Sequence, residues 1–279
     1  MSLRAVLACV VFCWPTHTAL AQLALPGATA PSEIGSVVKP SAPHRSRGAA
    51  PSLAPAPPAA TNEANLAGKT LSLNGGKSEI AFVARDKTVD VSRLLFDGVK
   101  ISNGRDACQV DVQGMPLALS PTSSAGGTHR FSLPVPACPV TFEALDGAVL
   151  MSVAGEKCSF KEADCEVSPG GLWGPTAGAI GPDQVKTIER ERMRAERDLR
   201  SAYKGLVTTV KDRALVSTYA REQAGFSSHR EEVCRDYVGE SRHGFCASRL
   251  TASRAAELET AYAAAAAEKA KSKKSKAKP

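Results

Sequence analysis

The hydrophobic period of this chain changes once, and that change constrains the fold more than any other feature. From about Leu66 to Val167 the apolar residues come in short runs rich in β-branched and aromatic types: "KTLSL", "SEIAFVA", "CQVDVQG", "HRFSLPV", "VTFEAL" and "AVLMSVAG". Turn-forming clusters such as "NGG", "SNGRD" and "SSAGG" separate them, which is the pattern of short antiparallel strands. Beyond Pro182 the apolar residues recur at steps of three and four: Val185, Ile188, Ala195, Leu199, Ala202, Tyr203, Leu206 and Val210. That is one stripe on a helix whose opposite face, "ERERMRAERD", is dense in charge. The expected fold class is α+β in two modules. A small all-β sandwich or barrel, stapled by disulfides, spans 66–167, and a small three-helix bundle with one disulfide spans 183–262.

Between the two periods lies "SPGGLWGPTAGAIGP", residues 168–182, which reads as a Gly/Pro linker. Asp183 is the expected N-cap of the first helix. A second helix carries Leu215, Tyr219, Phe226, Arg230, Val233 and Tyr237 and ends at Gly239. A third begins near Thr251 and carries Leu258 and Tyr262. Its continuation, "AYAAAAAEKAKS", has high helix propensity but little to bury, so fraying into an Ala/Lys-rich tail over 263–279 is expected. Residues 22–65 are rich in Pro, Ala and Ser and read as a solvated linker.

The N-terminus reads as an export signal. Arg4 precedes the apolar run "AVLACVVFCW", which is too short to span a bilayer, and Ala19 and Ala21 stand in A-x-A spacing. Cleavage is expected after Ala21, leaving a periplasmic or secreted chain with no transmembrane span. "VLAC" at Val6 to Cys9 resembles a lipoprotein processing site, but almost no apolar core precedes it. Cys9 and Cys13 leave with the signal, and Cys108, Cys138, Cys158, Cys165, Cys234 and Cys246 remain. An even number in an oxidising compartment points to disulfides, for which six cysteines allow 15 pairings. Four lie in the β-patterned region and two in the helical one, which favours pairing within each. Cys158 and Cys165 are close enough for a hairpin-like closure, which leaves Cys108 with Cys138.

Net charge is +7, but it is local. The tail from Glu268 to Pro279 holds six lysines and one glutamate, so the rest of the chain is close to neutral. Lys269–Lys278 is the segment suited to an anionic envelope polymer or lipid, and nucleic acid is not an expected partner of an exported chain. The five histidines show no metal-ligand spacing. Cys234, His243 and Cys246 could in principle hold zinc, but export favours a disulfide. No nucleophile elbow, Walker loop or dinucleotide fingerprint occurs. Neither a catalytic residue nor a cofactor is therefore expected, and the chain reads as a non-enzyme.

Three places in the helical region carry an ordered pattern. "AERDLRSAYKGL" has Glu196, Leu199 and Tyr203; "REQAGFSSHREEVC" has Gln223, Phe226, Arg230 and Cys234; "CASRLTASRAAEL" has Cys246, Thr251, Arg254 and Leu258. In order and spacing this set resembles the LprI-like lysozyme-inhibitor family of exported bacterial proteins, over about 80 of the 279 residues. Phe226 stands where the family usually has Trp, and Arg200 where an Asn often follows the leucine. The β region and the lysine tail have no counterpart in it. The resemblance implies a helical fold, a possible lysozyme-inhibiting activity, and cysteines placed at the same helix joints. A Cys234–Cys246 bridge there would close a loop of about a dozen residues and tie the second helix to the third. Arg230, on an otherwise apolar stripe, needs a partner, and Glu196 or a helix-end carbonyl is the expected one.

Inside the bridged loop, "GESRHG" offers Glu240, Ser241, Arg242 and His243, clamped by the disulfide and flanked by glycines. A rigid, presented loop loses little entropy on docking, so these four residues are the candidate contact site. The bland reading is an ordinary solvated turn. Partners in view are lysozyme, another envelope protein, or an anionic envelope polymer. A cell-envelope adaptor or structural protein is the alternative to an inhibitor.

Overall fold

The computed structural model describes residues 65–86, 88–113, 117–122 and 128–276. The expected leader, the linker up to residue 64 and the last three residues of the tail lie outside the described residues. Among the described residues twelve strands come first: β1 Thr70–Leu73, β2 Glu79–Arg85, β3 Thr88–Lys100, β4 Ala107–Asp111, β5 Leu117–Ala118, β6 Ser120–Pro121, β7 Arg130–Leu133, β8 Val140–Leu145, β9 Ala148–Val153, β10 Cys158–Phe160, β11 Cys165–Val167 and β12 Gly171–Gly174. Four helices follow: α1 Pro182–Thr209, α2 Arg213–Cys234, α3 Glu240–His243 and α4 Phe245–Lys276.

All strands pair antiparallel in one sheet, in the order β10-β11-β3-β2-β1-β12-β9-β8-β7-β6, with β4 and β5 also on β3. The sheet is strongly curled. On a flat sheet β2 and β8 would lie about 19 Å apart, four strand spacings, yet the Phe82 and Phe142 rings meet at 6.1 Å. Phe96 on β3 and Trp173 on β12 meet at 6.2 Å. The interior of the curl is one apolar core, with Leu66, Ile80, Val91, Phe96 and Trp173 all inaccessible to water.

The disulfides follow strand order rather than sequence proximity, which corrects the pairing expected from the sequence. Cys108 bonds Cys165, and Cys138 bonds Cys158. Cys158 and Cys165 sit on paired strands, but Cys158 faces Val167 and Cys165 faces Phe160. The two cysteines are thus diagonal neighbours, and a diagonal separation of about 7–8 Å exceeds the reach of a disulfide. Cys108 on β4 and Cys165 on β11 both flank β3 and are joined beside it. The Cys138–Cys158 bridge ties the β7–β8 connection to β10, elements from opposite ends of the strand order.

The expected linker over 168–182 is also corrected. Gly171–Gly174 is a central strand, pairing β1 on one side and β9 on the other. Its alternation is what joins sheet to helices. Trp173 points into the curl, where its indole N–H donates to the Pro169 carbonyl at 3.0 Å. Leu172 points outward, as the two-residue period of a strand requires. That outer face, with Leu145 and Ala148, shares a second core with Ile180, Ile188, Tyr237, Phe245 and Leu250. Sheet and helices therefore belong to a single compact unit.

Helix boundaries follow capping chemistry. Gly181, rather than Asp183, caps α1; Pro182 takes the first helical position, and the Gln184 side-chain oxygen accepts from the Gly181 N–H at 2.9 Å. Asp212 caps α2 by accepting from the N–H groups of Ala214 and Leu215. In place of the three expected helices there are four, because the bridged segment forms the one-turn α3. α4 begins at Phe245, six residues before the expected start, and stays helical through the alanine run to Lys276 instead of fraying. Arg249 contacts Glu191, and Tyr262 lies beside Gly205. These contacts advance together along both helices, so α1 and α4 run parallel and α2 returns between their ends. Leu199, Ala202, Leu206, Ala255 and Leu258 form their shared core.

Candidate functional site

The Cys234–Cys246 disulfide forms, with Cα atoms 5.6 Å apart, at the joint between α2, α3 and α4. The segment it clasps is largely structural, which changes the role expected for the "GESRHG" loop. Gly239 takes a left-handed φ of +78°, and Glu240 then turns inward. Its carboxylate accepts from the N–H groups of Cys246 and Ala247, both at 2.9 Å. It thereby caps the N-terminus of α4 with a negative charge. The His243 ring is fully buried. Its Nδ1 accepts from the Phe245 N–H at 3.2 Å, so Nε2 carries the proton and donates to the Val238 carbonyl at 3.0 Å. Only Ser241 and Arg242 of the four expected contact residues are exposed. With both His243 nitrogens used and both cysteines bonded, the zinc alternative has no ligands left. Among the described residues, no three His, Cys, Asp or Glu side chains cluster to hold a metal ion.

The same joint fastens the helices to the sheet. The Tyr237 hydroxyl donates to the Pro175 carbonyl at 2.7 Å, and the Val238 N–H donates to the Asn74 carbonyl at 2.9 Å. Burial pushes the Tyr237 phenol well above its ordinary pKa, so it remains a donor. Gly174 permits the approach: a Cβ there would lie 2.6 Å from both the Tyr237 hydroxyl and the Phe245 ring. Arg249 stacks over Phe245 at 5.0 Å and pairs with Glu191 at 2.9 Å and Asp146 at 3.6 Å. It floors a cleft of about 390 Å³ beside the start of α1. Two carboxylates balance the charge of Arg249, although its Nε–H has no partner.

A smaller groove of about 190 Å³ is different. It lies between α1, α2 and α4 and is lined by Glu196, Leu199, Gln223, Phe226, Arg230 and Thr251. Six of the nine non-cysteine residues in the ordered pattern thus come together around one hollow. The other three do not reach it. Leu258 is core, Tyr203 packs beside it, and Arg254 pairs with Glu222 at 3.1 Å and Glu257 at 2.7 Å. Arg200 and Ser227 complete the lining. The helical period could have flagged both, since each stands four residues after a pattern residue.

Arg230 lacks the ion pair expected for it. Its guanidinium donates to the Thr251 hydroxyl at 2.9 Å and lies over the Phe226 ring at 5.5 Å. Among the described residues, no carboxylate, Glu196 included, is within ion-pair distance. Thr251 in turn donates to the Ala247 carbonyl at 2.6 Å. The Gln223 side-chain oxygen is buried in the same place with no donor. Buried acceptors are normally satisfied, and each exception calls for an explanation. The groove thus holds a half-buried cation without a counter-ion and an acceptor without a donor, against two apolar walls. Comparison of the chain with models of known protein families, with curated proteins and with solved structures finds no match.

Proposed function

We propose that this chain is an exported, non-enzymatic binding protein whose helical module is LprI-like and binds and inhibits lysozyme. The observation that carries the reading is the convergence of Glu196, Leu199, Gln223, Phe226, Arg230 and Thr251 on one groove with unspent hydrogen-bonding capacity. Three disulfides suit an oxidising compartment. Among the described residues no helix is long and apolar enough to cross a membrane. Ser241 and Arg242, exposed beside the disulfide, supply the rim of the contact surface. The near-neutral folded part gives little electrostatic steering toward a basic lysozyme, so association is expected at an ordinary rate and with weak salt dependence.

The test is a pull-down of lysozyme with the purified mature chain, with a wall-lysis assay beside it. Saturable inhibition near one-to-one stoichiometry supports the reading. Lysis unaffected at concentrations far above those of the enzyme refutes it. A second reading, an envelope adaptor, draws on one observation: α4 remains helical to Lys276, so Lys269 and Lys271 stand exposed on the same helix that packs in the bundle. Salt-sensitive retention on anionic envelope material, lost on deletion of 269–279, would favour it.

A further inference from the structure

We infer that the groove between α1, α2 and α4 receives the C-terminal residue of a polypeptide, with its free carboxylate on Arg230 and its amide N–H on Gln223. This rests on the reading of the helical module as a partner-binding element and names the chemical group that it recognises.

The charge comes first. A guanidinium offers five N–H donors, and Arg230 uses one side-chain hydrogen bond, to Thr251. The planar fork of an arginine suits a carboxylate bidentately. Arg200 adds a second cation to the lining and Glu196 a single anion, so the groove favours a negative group. The Gln223 oxygen, unpartnered and closed to solvent in the empty groove, adds a second requirement once its side chain turns toward an occupant, because its missing partner must be an N–H or O–H donor. A simple anion such as acetate or phosphate meets the first requirement but offers no amide N–H. A terminal residue carries both groups on one Cα.

Size points the same way. At about 190 Å³ the groove is below the range of sites for drug-sized ligands, roughly 300–1,000 Å³, and admits about one residue. Leu199 and Phe226 would flank its side chain. A chain end also needs only one exit from the groove, whereas an internal acidic residue needs two.

The experiment titrates the isotopically labelled mature chain with acetyl-Gly-Leu as the free acid and follows the Gln223 side-chain amide and the Arg230 guanidinium by NMR. The controls are the same peptide as its C-terminal amide, acetyl-Asp-amide, and sodium acetate. The expected result is saturable shifts confined to the groove, with the free acid at least tenfold tighter than all three controls. Q223E places a charge that repels the carboxylate or occupies Arg230, and should abolish binding while the circular dichroism spectrum stays that of the folded protein. R230K should weaken binding at least tenfold. Equal affinity for the amidated peptide, equal affinity for acetate, or shifts centred elsewhere would each overturn the inference. Lysozyme inhibition without peptide binding would remove the inference and leave the module's proposed function standing. Peptide binding without lysozyme inhibition would do the reverse.

Discussion

Replacing Cys234 and Cys246 by alanine tests whether the helices and the sheet unfold as one body. The bridge closes a loop with a sequence separation of 12, and the chain-entropy relation assigns such a loop about 2.8 kcal/mol. Alanine is preferred to serine because both sites are buried, 6% and 0% accessible, and a hydroxyl there would be left without a partner. For a folded body of this size about 2.8 kcal/mol corresponds to a melting shift of roughly 6–11 °C. Two probes report on different parts. Trp14 lies in the expected leader, so Trp173 is the only tryptophan of the mature chain, and its fluorescence reads the interior of the sheet. Ellipticity at the helix band reads α1, α2 and α4. Leu172, Leu145 and Ala148 of the sheet share a core with Tyr237, Phe245 and Leu250 of the helical region. The two probes should therefore shift together and trace coincident transitions. A helix signal that melts early while Trp173 keeps its wild-type midpoint would refute the single-body argument. Free thiols at both positions in the wild type, found by non-reducing peptide mapping, would refute the bridge itself.

Other perturbations reach separate parts of the structure. Tyr237→Phe removes the hydrogen bond to the Pro175 carbonyl and should cost about 1 kcal/mol in denaturant unfolding. Glu240→Gln keeps the shape of the α4 cap but removes its charge from the helix N-terminus, and should cost about 0.5–1 kcal/mol. Asp164 is held below its ordinary pKa, chiefly by the Ser102 hydroxyl, which donates to it at 2.6 Å. A depressed carboxylate stabilises the fold above its unfolded pKa, and that contribution disappears as the pH falls through the folded value. Ser102→Ala should therefore raise the Asp164 pKa toward the usual range in an NMR titration and weaken the acid-side dependence of stability. Deleting 269–279 should leave the melting midpoint nearly unchanged, because residues 267–272 of α4 are exposed; a drop of several degrees would show that the segment docks.

Periodicity alone determined the two kinds of secondary structure in this protein and their order. A two-residue alternation and a three-to-four-residue stripe are local consequences of backbone geometry, so "VTFEAL" and "AERDLRSAYKGL" announce their elements wherever they fold. The Cys234–Cys246 bridge was legible for a similar reason, since both cysteines lie near helix ends with a sequence separation of 12. The β-region disulfides were not, because strand order, set by long-range pairing, decides which cysteines become neighbours. Strand β12 was hidden by its own composition. Glycines and flanking prolines mark a linker locally, while burial of Trp173 and pairing with β1 and β9 make the strand only once both partners are in place. The groove stands between these cases. The spacing of Glu196, Gln223, Phe226 and Arg230 put them on helix faces, but the parallel run of α1 and α4 around the returning α2 brought those faces together. The same packing turned Glu240 and His243 from a presented loop into a cap and a buried link. It also left Arg230 without the carboxylate that its charge called for, because side-chain reach is decided by where three helices cross and not by residue type.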